Sequence, residues 1–164
     1  MSEDLAWFNG LPREEAERRL HECCGSRVWA SAVAARRPYV DFAALVSTSE
    51  EVWRGLAPPD WLEAFAAHPR LGDSGGHSPE SSRKEQSRVM EAGGDTLAAL
   101  AAENRRYDAR FGHVFLLSAA GRSAEEVLAV LRSRIDNDAA TELQVAAEEQ
   151  RKITRLRLAS MLNG

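Results

Sequence analysis

Val114-Phe115-Leu116-Leu117-Ser118-Ala119 is the stretch on which the fold class turns. It is the one segment with β character, and its apolar residues run continuously instead of alternating, so periodicity leaves two readings open: a buried strand, or an extended bridge through a core. Nearly everything on either side of it reads as helix. Upstream, Asp95 or Thr96 caps a helix whose stripe is Leu97, Leu100, Ala101, Asn104, Tyr107 and Phe111, with Gly112 as its terminator. Downstream, Ser123 with Glu126 is a capping box that opens a helix to about Ile135, and Asp138 or Thr141 opens a last helix reaching Leu162.

The first half of the chain has the same character. Pro12, Glu14 and Glu15 make a favourable first turn, and Gly25 is a fitting stop. Ser26 caps the next helix, with Val28, Trp29, Ala32 and Val33 as its apolar positions, until Arg37-Pro38 ends it. Asp41 caps a short helix through Val46, and Ser47-Thr48-Ser49-Glu50-Glu51 holds two overlapping capping boxes, which predicts a further helix to about Leu56. Pro58-Pro59 breaks the chain, and Asp60 with Glu63 starts a helix over 61–67. Ser81 or Ser82 starts another, carrying Glu85, Gln86, Val89 and Met90 and stopping at Gly93-Gly94. No internal repeat, linker or low-complexity tract interrupts this pattern. The expected fold is all-α: a single-domain multi-helix bundle over residues 1–164, with one short extended segment near residues 113–119.

Composition narrows the classes of function. A chain of 164 residues with 44% apolar and 28% charged residues suits one soluble globular domain. Lys and Arg total 21 against 25 Asp and Glu, for a net charge of −4, and the two signs are interleaved. No basic face results, which argues against nucleic acid. The longest apolar runs are far too short to span a bilayer, and neither end resembles a signal peptide or a peroxisomal signal, so a cytoplasmic setting is expected. The two cysteines, Cys23 and Cys24, are adjacent and read as small buried residues without a disulfide.

The candidate chemistry sits around Ala67-His68-Pro69-Arg70-Leu71-Gly72-Asp73. The residue before a proline is pushed out of the α region, so His68 is held on a rigid corner after a helix. A Gly-rich loop then leads to Glu85. Two acid/base side chains, His68 and Glu85, thus occupy the two rims of one loop, a frame for proton transfer. Each also has an ordinary alternative: His68 as a helix-end cap, Glu85 as a first-turn acid that suits the helix dipole. Ser82 with Glu85 is by itself a capping box. His68, Asp73, His77 and Glu80 offer metal-ligand types, but their spacing matches no helix-borne pair and a Gly-rich loop is a poor coordination template, so no metal is assigned. Arg157 is either a solvated helical arginine or, if it faces the loop, a bidentate carboxylate clamp.

Phe65 through Asp73, Ser82-x-x-Glu85-Gln86, Asn104-x-x-Tyr107-x-x-x-Phe111-Gly112, Arg134-x-x-Asn137 with Glu142, and Leu156-Arg157-Leu158 together closely resemble the OHCU decarboxylase family. The resemblance extends over most of the chain, from Phe8-Asn9 through Cys23-Cys24-Gly25-Ser26, Trp29 and Arg37-Pro38. It implies an all-α, cofactor-free carbon–carbon lyase, often a homodimer, that converts 2-oxo-4-hydroxy-4-carboxy-5-ureidoimidazoline (OHCU) to (S)-allantoin in urate degradation. By matching positions, His68 and Glu85 correspond to the catalytic pair. Pro69, Ser82, Gln86, Arg157 and the backbone of Phe115, Leu116, Leu117, Ser118 and Ala119 correspond to substrate contacts. The chain departs from the pattern at His113, where a Phe is commoner, and at Ser81, where an apolar residue often precedes the serine. Which of His68 and Glu85 is the base stays open. The alternative from another class is a non-enzymatic helical module that uses the 68–85 loop to bind a ligand or partner.

Overall fold

The computed structural model describes residues 3–72 and 84–163. Among these residues the regular elements are all helical and no strand occurs, so the architecture is all-α. The chain forms two compact units, Met1–Ala64 with Arg151–Gly164, and Phe65–Gln150.

The first unit contains α1 (Glu3–Gly10), α2 (Arg13–Cys23), α3 (Arg27–Ala35), α4 (Phe42–Arg54) and the start of α5 (Pro58–Ala66). Pro12 stands at the N-cap of α2, and Cys24 leaves the helix in an extended conformation, so the stop falls one residue before Gly25. Ser26 caps α3 by accepting from the Trp29 amide at 3.2 Å. The buried face of α3 is Trp29, Ala30, Val33 and Ala34, whereas Val28 is 51% exposed. Shifting the stripe by one residue turns it about 100° around a helix, which is why the expectation for Val28 fails.

Asp41 caps α4 through the Ala44 amide at 2.8 Å. The expected break at Ser47 does not occur; α4 is one helix to Arg54. A Ser/Thr-x-x-Glu spelling inside a helix needs no cap, because the preceding turn already supplies the acceptors, and nothing between 42 and 54 is a Gly or Pro. The prolines at 58 and 59 likewise begin α5 instead of preceding it. First-turn amides have no intrahelical acceptor, so proline's missing N–H costs nothing there. Glu63, expected in a capping box with Asp60, instead accepts from the Arg27 amide at 2.9 Å and from its guanidinium at 2.8 Å, at the opening of α3.

The second unit is built on α6 (Gly94–Phe111), α7 (Ala124–Arg134) and the first part of α8 (Ala139–Asn163). Gly93, not Asp95 or Thr96, is the N-cap of α6, and Gly112 ends it with φ 77°. Ala101 is exposed, so the stripe of α6 is narrower than expected, centred on buried Leu100, Asn104 and Tyr107. The helix expected to run on past Glu85 does not: Lys84 and Glu85 are helical, the chain turns at 86–88, and Val89–Glu91 is a 3-10 turn that buries Val89 and exposes Met90. Ser123 and Glu126 form the expected capping box on α7. Asp138 caps α8, accepting from the Thr141 amide at 2.8 Å.

Residues 114–119 resolve to the extended bridge. Phe115, Leu117 and Ala119 join Leu71, Leu100, Tyr107, Val127 and Leu131 in the core of this unit. An extended chain without strand partners must satisfy its polar backbone elsewhere. Arg134 does part of this, donating from Nη1 to the Leu116 carbonyl at 2.6 Å. Arg134 is in turn fixed by Glu142, which is 0% exposed. The guanidinium Nε lies 3.1 and 3.0 Å from the two carboxylate oxygens, and Nη2 is also bonded. Tyr107 donates its hydroxyl to the same carboxylate, and Asn137 donates at 3.2 Å. Burial, together with the bond to this anion, pushes the Tyr107 phenol strongly upward, so it stays a donor.

Glu142→Ala leaves the Arg134 charge buried without its partner and lowers stability by about 3–5 kcal/mol, read from urea unfolding. Cys23 and Cys24 are free and buried, and burial pushes both thiols up to about 12. The folded protein therefore resists iodoacetamide at pH 8 until it is unfolded, since the thiolate is the nucleophile. Because an unfolded thiol ionises near 8.5, the stability these cysteines contribute is complete below that pH and is lost as pH rises toward about 12.

Candidate active site

His68 follows the end of α5, its amide bonded to the Phe65 carbonyl at 3.1 Å. The side chain is half-buried, and Nε2 lies 2.6 Å from Oε1 of Gln150, a fully buried residue of α8. Three of the four residues after it are tied down one by one. Arg70 Nε donates to Asp108 at 2.7 Å, and the Leu71 carbonyl accepts from Asn104 at 2.9 Å. Leu71 itself is in the core, and the Gly72 amide donates to Gln86 Oε1 at 2.8 Å. Gly72 has φ 84°, and a Cβ there would stand 2.8 Å from Leu100 Cδ2. Only glycine allows the chain this turn at this distance from α6.

The Gly72–Gln86 bond joins the His68 corner to the turn that carries Glu85. Glu85 is half-buried and Gln86 buried, so the two predicted rims of the loop belong to one packed unit. Pro69 is half-buried beside His68. Ser82 lies outside the described residues, as do Ser81 and the ligand types Asp73, His77 and Glu80.

In the 115–119 segment, the Ser118 amide donates to Glu149 Oε1 at 3.0 Å, and the Ser118 carbonyl accepts from Arg122 Nε at 3.1 Å. The Ser118 amide is thus engaged within the protein, and Leu116 offers its carbonyl to Arg134. His113, where a Phe was the commoner residue, packs with its ring centroid 5.3 Å from Phe65 and 5.6 Å from Tyr107, so the imidazole fills an aromatic position. Arg157 belongs to the other compact unit; it is half-buried, with Nη1 3.4 Å from the Cys23 carbonyl.

A half-buried imidazole on a braced corner, joined through Gln86 to a turn bearing a carboxyl, is an arrangement suited to proton transfer on a small molecule. The sequence model of the family described as OHCU decarboxylase matches residues 9–159. The chain belongs to the OHCU decarboxylase family.

Individual relatives agree with this placement. The chain is 36% identical to the Arabidopsis thaliana uric acid degradation bifunctional protein TTL over 93% of its own length and 49% of that protein's. It is 31% identical to the 2-oxo-4-hydroxy-4-carboxy-5-ureidoimidazoline decarboxylase of Amia calva, over 97% of this chain and 94% of that one. A crystal structure of OHCU decarboxylase in the presence of (S)-allantoin superposes with a TM-score of 0.78 at 33% identity, covering 88% of this chain and 96% of that chain. The chain spans about half the length, or less, of the bifunctional relatives it matches.

Gln150 and the anchoring role of Glu149 escaped the reading of the sequence. A signal existed: both continue the buried face of α8 through Glu142, Ala146, Ala147, Ile153 and Thr154, and a polar residue on a buried stripe must have a partner.

Gly72→Ala and Gly112→Ala separate backbone strain from crowding. Both positions have positive φ, but only at Gly72 does a Cβ meet a neighbour. Gly112→Ala costs about 1–2 kcal/mol of stability for the left-handed conformation, and Gly72→Ala costs more, by urea unfolding of the two variants side by side.

Proposed function

We propose that this chain decarboxylates OHCU to (S)-allantoin in urate degradation, without cofactor or metal, and that residues 1–164 act as one OHCU decarboxylase domain. The observation that carries the reading is the bonded corner from His68 to Gly72, linked through Gln86 to the turn bearing Glu85, in a chain of this family.

The substrate supplies its own electron sink. As the C–CO2 bond breaks, its electron pair forms a double bond to the neighbouring ring carbon, and the C=N pair moves onto nitrogen, which takes up a proton from water. A pyridoxal or thiamine sink is then unnecessary. One of His68 and Glu85 takes the proton of the 4-hydroxyl as it becomes a carbonyl, and the other delivers a proton to the neighbouring carbon from one face, which sets a single enantiomer. An imidazole in its neutral form suits the first role. Pro69, Ser82 and Gln86 would line the substrate, Arg157 would hold a carboxylate or ring oxygen with its planar fork, and the backbone of Phe115 through Ala119 would meet the ureido and ring carbonyls. Because the Ser118 amide already serves Glu149, the carbonyl contacts fall more naturally to its neighbours. The proposed setting is cytoplasmic and the assembly a homodimer, with no nucleic-acid partner. Among the described residues no helix is long and apolar enough to cross a membrane.

The test follows the decay of freshly generated OHCU by ultraviolet absorbance and circular dichroism, with EDTA present. The wild type is expected to form (S)-allantoin stereospecifically above the spontaneous rate. His68→Ala and Glu85→Ala, folded normally, are expected to lose about 100-fold or more in kcat. Wild-type turnover in either variant overturns the assignment, and decay at the spontaneous rate with wild type favours a binding module instead.

A further inference from the structure

The proposed chemistry needs more of His68 than its presence. A neutral imidazole carries one proton, and it accepts another only at the nitrogen left bare, so the tautomer decides which ring atom is the base. In this structure Nε2 of His68 lies 2.6 Å from Oε1 of Gln150. An amide oxygen only accepts, so Nε2 must donate. The lone pair is then on Nδ1.

Gln150 is well placed to impose this choice. It is 0% exposed, so an unanswered amide there would carry the full cost of a buried unsatisfied group. It sits on α8 directly after Glu149, whose carboxylate receives the Ser118 amide at 3.0 Å. Two consecutive residues of one helix thus hold two parts of the proposed site: Gln150 the His68 ring, Glu149 the Ser118 amide of the extended segment. The corner is also held by Arg70 with Asp108, Leu71 with Asn104 and Gly72 with Gln86, bonds made by groups other than the imidazole. The bond to Gln150 is made by the ring itself and places a proton on Nε2.

We infer that Gln150 is a positioning residue for the reaction: it locks His68 in the Nε2–H tautomer and makes Nδ1 the atom that takes the substrate proton. The inference rests on the decarboxylase reading for its catalytic part, while the ring geometry stands apart from it. A buried, uncharged acceptor suits this task better than a carboxylate, because it orients the ring without favouring the imidazolium that could no longer act as a base.

The experiment uses the full chain labelled with nitrogen-15. Long-range proton–nitrogen spectra report the protonated ring nitrogen of each of the four histidines, and His68→Ala identifies the signal of interest. In the wild type at pH 8, His68 is expected as a single Nε2–H tautomer with a slowly exchanging ring proton. Gln150→Leu, close in volume and checked for folding by its amide spectrum, is expected to lose that protected proton and to lose about 10-fold or more in kcat with KM little changed. Gln150→Glu keeps an acceptor oxygen at this place and is expected to restore the Nε2–H form at pH 9. A wild-type ring protonated at Nδ1, or a folded Gln150→Leu with undiminished kcat and an intact Nε2–H signal, overturns the role of Gln150 and leaves the decarboxylase reading untouched. Wild-type turnover no faster than spontaneous decay overturns that reading and the catalytic part of this one together, whereas the tautomer result survives it.

Discussion

A carboxylate from which water is wholly excluded can exist in a protein only if its surroundings replace the solvent it has lost. Glu142 meets that condition through Arg134, Tyr107 and Asn137, drawn from α6, α7 and the turn before α8. Removing two charges from water is expensive, and the Coulomb attraction offsets it only when nearly every donor and lone pair is used. That demand gives the second unit a definite arrangement. The helices cannot slide without breaking a bond to a buried charge, and the spare arm of Arg134 reaches the Leu116 carbonyl. The extended segment is therefore held by an ion pair and not by a sheet.

The same economy governs the His68 corner. Proline restricts the histidine backbone from one side, and a left-handed glycine lets the chain turn away four residues later, against Leu100. Along this stretch the Arg70 side chain and the Leu71 carbonyl find partners on α6, and the Gly72 amide finds one on Gln86. Such a loop behaves as part of the core, although its outer residues face solvent. An acid/base group placed on it loses little freedom when a substrate arrives, which is the sense in which rigidity contributes to rate.

Local chemistry was legible where it is self-contained. The caps by Ser26, Asp41, Ser123 and Asp138 each involve a side chain and a backbone group within four residues, and the left-handed glycine at 112 bonds backbone to backbone over the same distance, so their letters suffice. The same spelling misled where the neighbourhood outranked it. Ser47 to Glu51 has two capping boxes and forms none, since α4 simply continues, and Glu63 turned from its own helix to serve Arg27. Pro58 and Pro59 mark a helix start as readily as a break. Val28 fell on the wrong side of α3 because a nine-residue helix offers too few turns to fix the phase of its stripe.

The linear order by itself determined that the chain is helical, that one segment between α6 and α7 is apolar and extended, and that a histidine followed by proline and a Glu-Gln pair flank one loop. These depend on spacing within a few residues, or on a motif recognisable as letters. Only the tertiary structure decided that residues 114–119 bridge a core without strand partners, that Gln86 binds Gly72, and that Gln150 meets the His68 ring. The last contact joins positions separated by 82 residues. Nothing local distinguishes a glutamine that will be buried against an imidazole from one that will face water, because the cost of leaving it unpaired arises only once the surrounding helices have excluded the solvent.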